Sequence, residues 1–437
     1  MRDSLPSERF SMSKKVVFIT TRIFWPADSG RKVSLYHYCK GLHEQLGYDV
    51  YLYSFLEGDQ RAEDASRHPG FIADVCVAKP IAGGAKLKNL VSAFPKHDVP
   101  FQCALYWSKG NRDAIRAYCE EVSPDAVVID MVRLAPYMDA LDGLNFPVVL
   151  DYDDLLSKRY ERQIGGSGGN ILGKYSTQTP GLMRAIVSNR WLKNLVLRRE
   201  SERVKRAEEK YARRADAVLF VSPIETAELN GKIGTKKCFD ATLGAEVIEV
   251  KRPLPDAAFD FGFVGNMHTA ANQASLDYIC DEVLPLLPDA TLRVIGVCPE
   301  DIAGRYASLP RVGFSGRVES IADELLKCKV MLVPFAYGTG IKTKVLEAMG
   351  IGVPVVTNSI GIEGMTCKPG VEVEVGETAQ EIADACKALL IDSEKRRAVG
   401  LAGREYVRRC HDWRTSIENL DKCLNYAKRQ ETEGDAR

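Results

Sequence analysis

The residues best suited to chemistry lie between Gly338 and Glu347, in the sequence GTGIKTKVLE. Gly338 and Gly340 allow sharp backbone turns and let amide groups approach a ligand without a β-carbon in the way. A helix is expected to begin near Ile341, and its N-terminal end presents partial positive charge to the preceding loop. Such an end is a ready site for a phosphate group.

Charged side chains extend this pattern into the expected helix. Lys342 and Lys344 are predicted to lie in its first turn, where they oppose the helix dipole unless an anion neutralises them. Glu347 lies one turn further and can accept hydrogen bonds from two neighbouring hydroxyls, as on a ribose. The pattern predicts a site for a nucleotide or nucleotide sugar. A surface ion pair between Lys344 and Glu347 beside a plain glycine turn is the alternative.

The elements around this loop alternate between strands and helices. Apolar runs predict a strand at Lys329–Phe335, a helix at Lys342–Gly350 and a strand at Pro354–Asn358. Further strands of the second half are expected at Phe259–Val264, Thr291–Val297 and Val312–Ser315, and further helices at Gln273–Pro285, Ser320–Lys327, Glu377–Leu390, Ser393–Arg409 and Ser416–Arg429. Those of the first half are expected at Val16–Thr20, Val50–Phe55, Ile72–Val77, Ala126–Asp130, Val148–Tyr152 and Ala217–Ser222.

This alternation predicts an α/β protein with two parallel sheets, each covered by helices. We expect a disordered segment at 1–13 and a first Rossmann-like domain at 14–250. A second Rossmann-like domain is expected at 256–410, followed by a helix at 411–430 that crosses back and a tail at 431–437. A cleft between the two domains is expected to bind ligands.

The first domain carries a basic insert at about 162–215. A helix over 190–214 is predicted, and its simplest interpretation is a solvated helix with ion pairs four residues apart. The alternative is a cationic surface that docks on anionic lipid. Its apolar side would then be formed by Trp191, Leu192, Leu195, Val196 and Leu197.

The segment GTGIKTKVLEAMGIGVPVV resembles the donor-binding segment of GT-B-fold glycosyltransferases, in particular the large retaining group called family 4. FGFVGNMHTAANQASLDYI, LRVIGVCPEDI and VGFSGRVESIADEL are similar to the preceding parts of the donor domain, in the right order. YVRRCHDWRTSIENL resembles the closing helix. The resemblance covers nearly the whole second half and the first half in outline.

The resemblance implies a role for several residues. Glu347 would hold the ribose hydroxyls, and Arg317 and Val318 would border the base. Gly340, Ile341 and Lys342 would face the diphosphate.

The sequence departs from the family pattern at two places. Thr339 stands where many members carry a second glutamate that contacts the donor sugar. Gly265 is followed by Asn266, where many members have an arginine, and His268 is the one histidine expected near substrate. We expect Lys342 and Lys344 to supply the missing positive charge.

On the acceptor side, LDYDDLLSKRY places Asp151, Asp153 and Asp154 at the end of a predicted strand. Clustered carboxylates repel one another, so one of them is expected to have a raised pKa and to handle a proton. Asp153 or Asp154 capping the next helix is the alternative. The loop Pro26–Arg31 is expected to border the reacting centre, with Gly30 allowing close backbone approach.

Composition excludes several classes of function. The 437 residues hold 59 Lys and Arg against 59 Asp and Glu, so no overall positive charge favours nucleic acid. No apolar run is long enough to span a membrane, and the N-terminus lacks the apolar core of a signal peptide. Twelve cysteines without C-x-x-C spacing predict buried thiols, not a metal site.

These observations predict a hexosyl-transferring glycosyltransferase, without metal or cofactor, that acts in cell-surface polysaccharide or glycoconjugate synthesis. The expected partners are a nucleotide-diphosphate sugar and a glycan or polyprenyl-linked acceptor. We expect a cytoplasmic protein and leave open a peripheral position on the inner face of the membrane. A nucleotide-sugar 2-epimerase of the same fold and a degenerate nucleotide-binding subunit are the alternatives. A Rossmann dehydrogenase is disfavoured because no G-x-G-x-x-G follows the first strand.

Overall fold

The structure is a computed structural model that describes residues 13–27, 30–58, 60–163, 190–248, 257–306, 308–336 and 340–434. Its contacts divide the chain into two compact units. The first unit comprises Met1–Phe220, Glu225–Asp240 and Ile417–Arg437, and the second comprises Val221–Ile224 and Ala241–Ser416. Three predicted segments lie partly outside the described residues: 1–12 of the N-terminal segment, 164–189 of the basic insert and 435–437 of the tail.

The first unit is built on a seven-stranded sheet in which every pairing is parallel. Its spatial order is β3-β2-β1-β4-β5-β6-β7. The strands are β1 (Lys15–Thr20), β2 (Asp49–Ser54), β3 (Ile72–Val77), β4 (Ala126–Asp130), β5 (Val148–Asp153), β6 (Ala217–Phe220) and β7 (Cys238–Asp240). All five residues of β4 are buried, as expected for a strand covered on both faces.

Helices cover this sheet and connect its strands. They are α1 (Gly30–Leu46), α2 (Gly83–Ala93), α3 (Phe101–Tyr106), α4 (Lys109–Val122), α5 (Met131–Leu134), α6 (Leu156–Gln163), α7 (Arg190–Arg214) and α8 (Pro223–Ile233). The six strands predicted for the first half are all present, with ends shifted by at most two residues. The short strand β7 was not predicted because three residues carry too little periodicity to be recognised.

The second unit holds a six-stranded sheet, also parallel in every pairing. Its order is β10-β9-β8-β11-β12-β13. The strands are β8 (Phe259–Val264), β9 (Leu292–Ile295), β10 (Val312–Phe314), β11 (Cys328–Leu332), β12 (Val355–Thr357) and β13 (Glu374–Val375). The prediction of two parallel α/β sheets is therefore confirmed.

The helices of the second unit follow the predicted order, except that the helix at Glu300–Arg305 was not predicted. They are α9 (Ala270–Tyr278), α10 (Glu300–Arg305), α11 (Ile321–Leu325), α12 (Thr343–Gly350), α13 (Ala379–Ile391) and α14 (Ser393–Cys410), and α15 (Trp413–Gly434) continues into the first unit. The predicted helix Gln273–Pro285 is wrong in its second half, where a π turn at Ile279–Val283 precedes a 3₁₀ turn at Leu284–Leu286. Pro285 has no amide hydrogen to donate, so α geometry does not continue through it.

The basic helix α7 is present as predicted, but the interpretation as a solvated helix is wrong. One face of it is buried in the core of the first unit, at Leu197, Val204, Ala207 and Ala212. Together with the buried Ser201 and Glu208, these positions recur every three or four residues and form one stripe. Of the predicted lipid-facing side, Leu197 is fully buried, Leu195 and Val196 are partly buried, and the side chains of Trp191 and Leu192 lie outside the described residues.

Two carboxylates on the buried face of α7 explain how a charged helix packs inside. Glu200 accepts hydrogen bonds from the amides of Phe101 and Gln102 at the start of α3. Glu208 accepts from the amide and the hydroxyl of Ser157 at the start of α6. Amide groups at helix N-termini lack intrahelical partners, so each carboxylate satisfies donors that would otherwise be buried without one.

Two further results concern the chain as a whole. All twelve cysteines are free thiols, and nine of them are buried, as predicted. Among the described residues, no helix combines the length and the apolar composition that crossing a bilayer requires.

Candidate functional site

The predicted donor-site residues lie along one edge of the second sheet. Because all pairings are parallel, the carboxyl ends of β8, β10 and β11 share that edge. The strand order reverses between β8 and β11, since β9 and β10 lie on one side of this pair and β12 and β13 on the other. Open α/β sheets bind ligands at such a topological switch point.

Glycines let the backbone pack closely at this edge. A β-carbon on Gly265, directly after β8, would lie 2.8 Å from Asn272 Nδ2. A β-carbon on Gly296, directly after β9, would lie 2.3 Å from the carbonyl oxygen of Gly265. Gly296 in turn donates its amide to the carbonyl oxygen of Gly316 at 3.2 Å. The ends of three neighbouring strands are thus joined by contacts that larger residues would prevent.

Lys342 caps the start of α12 and does not lie in its first turn as predicted, because the helix begins at Thr343. The lysine is buried, and its Nζ donates to the carbonyl oxygen of Gly340 at 2.5 Å. Glu363 Oε2 lies 3.7 Å from the same nitrogen. Gly340 has a positive φ of 71°, a conformation that favours glycine. The Lys342 charge therefore has a carboxylate partner within the protein.

Lys344 is the cation that lies in the first turn of α12, and its environment is largely neutral. Its Nζ donates to Asn272 Oδ1 at 2.8 Å and lies 5.4 Å from the ring centres of Phe263 and Phe335. Burial lowers the pKa of Lys344 to about 8, since the partial opposing effect of Glu347 does not offset the lost hydration. Of these two lysines, Lys344 is therefore the one whose charge an incoming anion would stabilise more.

Glu347 lies one turn further along α12, with its side chain exposed at the helix surface. Neighbouring residues still remove part of its hydration, which raises the pKa of the carboxyl although the Lys344 charge lowers it. Val345, Leu346 and Met349 on the other side of the helix are buried in the core. The helix therefore fixes the Glu347 backbone while leaving the carboxylate accessible to a ligand.

The remaining predicted donor-site residues are placed as follows. Asn266 and His268 follow β8, and the amide of His268 donates to Asn266 Oδ1 at 3.0 Å. Arg317 is exposed just after β10, and Val318 packs against the core beside it. Ile341 is buried. Thr339 lies outside the described residues.

A second cluster lies at the matching place in the first sheet, where the order reverses between β1 and β4. Arg31 of α1 is buried among three carboxylates from the ends of β4 and β5. Its guanidinium nitrogens lie 2.8 Å from Asp130 Oδ1, 2.6 Å from Asp151 Oδ2 and 3.3 Å from Asp153 Oδ1. Thr21 donates its amide and hydroxyl to the other oxygen of Asp130, at 3.0 and 2.7 Å.

One guanidinium cannot balance three buried carboxylates, and the pKa values diverge accordingly. Burial would raise the pKa of Asp130, but Arg31 and the bonds from Thr21 outweigh it and hold that pKa below its usual range. Burial raises the pKa of Asp151, and it raises the pKa of Asp153 to about 6. The sequence-based expectation of one carboxyl with a raised pKa therefore points to Asp153 as the group that titrates nearest neutral pH.

Asp153 also differs from its neighbours in exposure and backbone. Its side chain is 16% exposed, against 1% for Asp130 and none for Asp151. Its φ is +64°, which non-glycine residues adopt at a cost of about 1 kcal/mol or more. Of the three carboxylates bound to Arg31, it is the one that a ligand can reach.

The other two acceptor-side predictions have simpler surroundings. Asp154 forms an ion pair with Arg159 of α6. Gly30 is the exposed first residue of α1, and a β-carbon added there would meet nothing within 4 Å. The predicted close backbone approach at Gly30 therefore has no counterpart within the protein. Asp28 and Ser29, which directly precede this helix, lie outside the described residues.

Sequence reasoning missed the partners that define both clusters. Arg31 and Asp130 stand 99 positions apart and meet because β1 and β4 are neighbours. Asn272 and Phe263 reach Lys344 from the β8 side of the switch point. The aspartate that ends AVVID was a usable signal, because it stands at a strand terminus like Asp151.

Residues 258–392 match the sequence model of the family glycosyl transferases group 1. The match lies within the second unit. A curated relative is the GDP-mannose-dependent monoacylated alpha-(1-6)-phosphatidylinositol monomannoside mannosyltransferase of Corynebacterium glutamicum, 30% identical over 171 residues. That alignment covers 35% of this chain and 43% of the relative, so the chain matches less than half of its length.

Solved structures resemble the chain over almost its whole length. Sucrose-phosphate synthase from Thermosynechococcus elongatus aligns with a TM-score of 0.62 at 16% identity, covering 94% of this chain and 98% of its own. Anabaena HepE with UDP and glucose aligns with a TM-score of 0.58 at 14% identity, covering 94% of this chain and 99% of its own. TarM aligns with a TM-score of 0.63 at 10% identity, covering 95% of this chain and 99% of its own. These likenesses confirm the GT-B fold for the chain.

No group of three or more histidine, cysteine or acidic side chains in the described part of the chain is arranged to hold a metal ion. Asp151 and Asp153 have D-x-D spacing, and both carboxylates contact the guanidinium of Arg31. Tyr152 between them is buried in the core, with its hydroxyl donating to the carbonyl oxygen of Glu208.

Proposed function

We propose that this chain is a glycosyltransferase that takes a sugar from a nucleotide-diphosphate donor and transfers it to a hydroxyl of a glycan or lipid-linked acceptor. The observation that carries the proposal is the half-buried Lys344 at the start of α12, whose hydrogen-bond acceptor is a neutral amide. It lies at the switch point of a glycosyl transferases group 1 domain. A diphosphate there would stabilise both the lysine and the helix terminus.

In this proposal the nucleotide is held at the edge of the second sheet. Glu347 accepts hydrogen bonds from the ribose hydroxyls, and Arg317 and Val318 border the base. Gly340, Ile341, Lys342 and Lys344 face the diphosphate. Gly265, Asn266 and His268 border the same edge, and Thr339 is proposed to contact the donor sugar.

The acceptor is proposed to bind at the edge of the first sheet, where Asp153 accepts a hydrogen bond from the reacting hydroxyl. During transfer, the bond from the sugar anomeric carbon to the phosphate oxygen breaks and a bond to the acceptor oxygen forms. The acceptor proton passes to the departing phosphate, with retention of configuration. Lys342, Lys344 and the α12 terminus stabilise the charge on that phosphate. Asp154, which is bound to Arg159, supports the same loop.

Two of these similarities support nucleotide sugars as donors. The corynebacterial relative is named for GDP-mannose, and the HepE structure contains UDP. We propose a lipid-linked or glycan acceptor because that relative is named for a phosphatidylinositol mannoside. A place in polysaccharide or glycoconjugate synthesis at the inner face of the membrane belongs to the same proposal.

The deciding experiment is titration calorimetry with UDP and GDP. We expect one of them to bind the wild type, and Glu347→Ala to weaken that binding about 10- to 100-fold through lost charge-assisted hydrogen bonds. The matched control is Glu394→Ala, an exposed glutamate in the first turn of α14. Binding of neither nucleotide, or equal loss in both variants, would refute the donor site. Product analysis with a labelled donor then separates transfer to an acceptor from epimerisation.

A further inference from the structure

The helix α2 presents an apolar stripe that no other residue described by the structure covers. Leu87, Val91 and Phe94 are 54%, 66% and 67% exposed. Their spacing of four and three residues places them on one side of the helix and its C-cap. The opposite side is fixed to the protein by Asn89, whose Nδ2 donates to the carbonyl oxygens of Ala104 and Trp107. We call these three residues the α2 stripe.

Positive charge borders the α2 stripe. Lys86 and Lys88 lie about 100° to either side of Leu87 on the helix, and Lys96 is exposed just beyond Phe94. The basic helix α7 reaches the same end, where Arg203 donates to the carbonyl oxygen of Phe94 at 2.7 Å. Arg206 of α7 is exposed and contacts the carbonyl oxygen of His97 at 3.5 Å.

Aromatic and cationic contacts hold the base of the stripe. The Phe94 ring stacks against Phe101, with ring centres 6.4 Å apart, and the Arg203 guanidinium lies 4.4 Å over the Phe101 ring. The exposed face of Phe94 therefore extends to solvent from a ring that is packed on its other side. An exposed apolar row on a short helix with cations along both sides fits a surface that is apolar inside and negatively charged outside.

We propose that the α2 stripe docks the first unit on an anionic lipid bilayer. Leu87, Val91 and Phe94 enter the boundary between headgroups and acyl chains, while Lys86, Lys88 and Lys96 contact lipid phosphates. Long lysine side chains reach the headgroups while their methylene stems lie along the apolar surface. The apolar part of the membrane contact then lies on α2. The exposed basic residues of α7 contribute positive charge only.

The test is co-sedimentation of the full chain with vesicles of phosphatidylcholine alone or with phosphatidylglycerol added. We expect binding to the anionic vesicles, weakening as salt rises. The triple variant Leu87→Ser, Val91→Ser, Phe94→Ser and the double variant Lys88→Glu, Lys96→Glu should each lose about tenfold or more in binding. Two matched controls carry the same changes on the second unit and should bind as wild type. They are Val371→Ser with Ile391→Ser and Leu401→Ser, and Lys387→Glu with Arg397→Glu.

Far-UV circular dichroism and the thermal unfolding midpoint of each variant serve as the folding control. Neither measurement depends on nucleotide, so this test is independent of the transferase proposal. Undiminished vesicle binding by the stripe variants would overturn the proposal, as would equal binding to neutral vesicles. Self-association of the wild type that the stripe variants lose, without vesicle binding, would assign the stripe to a second copy of the chain instead.

Discussion

Lys344 and Arg31 each lie at the switch point of their own sheet and have opposite electrostatic surroundings. Lys344 is half-buried beside an amide and two aromatic rings, so its positive charge has little compensation. Arg31 is buried among three carboxylates, so its surroundings carry excess negative charge. One site is therefore suited to an anion and the other to a hydroxyl or a proton.

The Lys344 pKa predicts how nucleotide affinity depends on pH. Without ligand the ammonium loses its proton near pH 8, and a bound diphosphate would raise that pKa. Nucleotide binding should therefore weaken as pH rises above about 8, with proton uptake measurable by calorimetry in buffers of different ionisation enthalpy. Lys344→Met should bind more weakly and lose this dependence. Retention of the full pH dependence in Lys344→Met would assign the titration to another group.

Asp153 predicts the acidic side of the activity profile. Its pKa of about 6 means that the carboxylate is formed as pH rises through that value. We expect kcat/KM for transfer to rise with pH through about 6, and Asp153→Asn to lower it about 100-fold or more and to flatten that limb. Asp151→Asn is the matched control, because Asp151 bonds Arg31 but is fully buried. A smaller effect at Asp153 than at Asp151 would argue for a purely structural cluster.

At the scale of elements, two buried glutamates of α7 accept the hydrogen bonds that N-cap side chains of α3 and α6 would otherwise accept. Burial raises the pKa of Glu208 to about 8, despite the hydrogen bonds from Ser157. The folded state therefore holds the Glu208 proton more tightly than the unfolded state does. This stabilising effect is complete below about pH 4.5 and is lost as pH rises through about 8.

Glu208→Gln should remove much of that dependence. The glutamine keeps an oxygen for Ser157 and does not titrate, so the variant should gain stability relative to wild type between pH 6 and pH 8. Glu202→Gln, on the exposed side of α7, should follow the wild type. Denaturant unfolding at the two pH values measures the difference, and parallel curves for wild type and Glu208→Gln would contradict the assignment.

The end of α12 depends on a close backbone approach. A β-carbon on Gly350 would lie 2.5 Å from the carbonyl oxygen of Glu246. Gly350→Ala should therefore cost about 1–3 kcal/mol in unfolding free energy. Gly304→Ala in α10 is the control, because a β-carbon there meets nothing within 4 Å. It should be neutral or slightly stabilising, and equal destabilisation by both changes would contradict the proposed contact.

The elements were predictable where a local pattern fixes them. The buried strands AVVID and VVFIT and the segment from β11 to β12 are read directly from apolar runs, turn residues and helix starts. Whether a helix face is buried or solvated depends on tertiary contacts. For this reason the interpretation of α7 as a solvated helix was wrong. The identity of the Arg31 and Lys344 partners likewise depends on strand order, which residue spacing does not contain.

At the scale of the whole molecule, the two units have separate cores, and each candidate site belongs to one of them. Nucleotide should act on the second unit directly. At a concentration of 100 times its dissociation constant, a ligand stabilises the state it binds by about 2.7 kcal/mol. Lowering pH from 8 to 6 should act on the first unit, where Glu200, Glu208 and Glu225 all have raised pKa values of about 7 to 8.

Hydrogen exchange measured by mass spectrometry can separate these two effects. Saturating nucleotide should slow amide exchange most in α12 and in the residues after β8, and least in β4 and β5. A change from pH 8 to pH 6, after correction for intrinsic exchange rates, should protect α3, α6 and α7 instead. At the same nucleotide concentration, Glu347→Ala should weaken the first pattern and leave the second intact. Glu208→Gln should weaken the second pattern, in which Glu200 and Glu225 still titrate, and leave the first intact. Nucleotide protection centred on β4 and β5 would place the donor site in the first unit and refute the assignment made for α12.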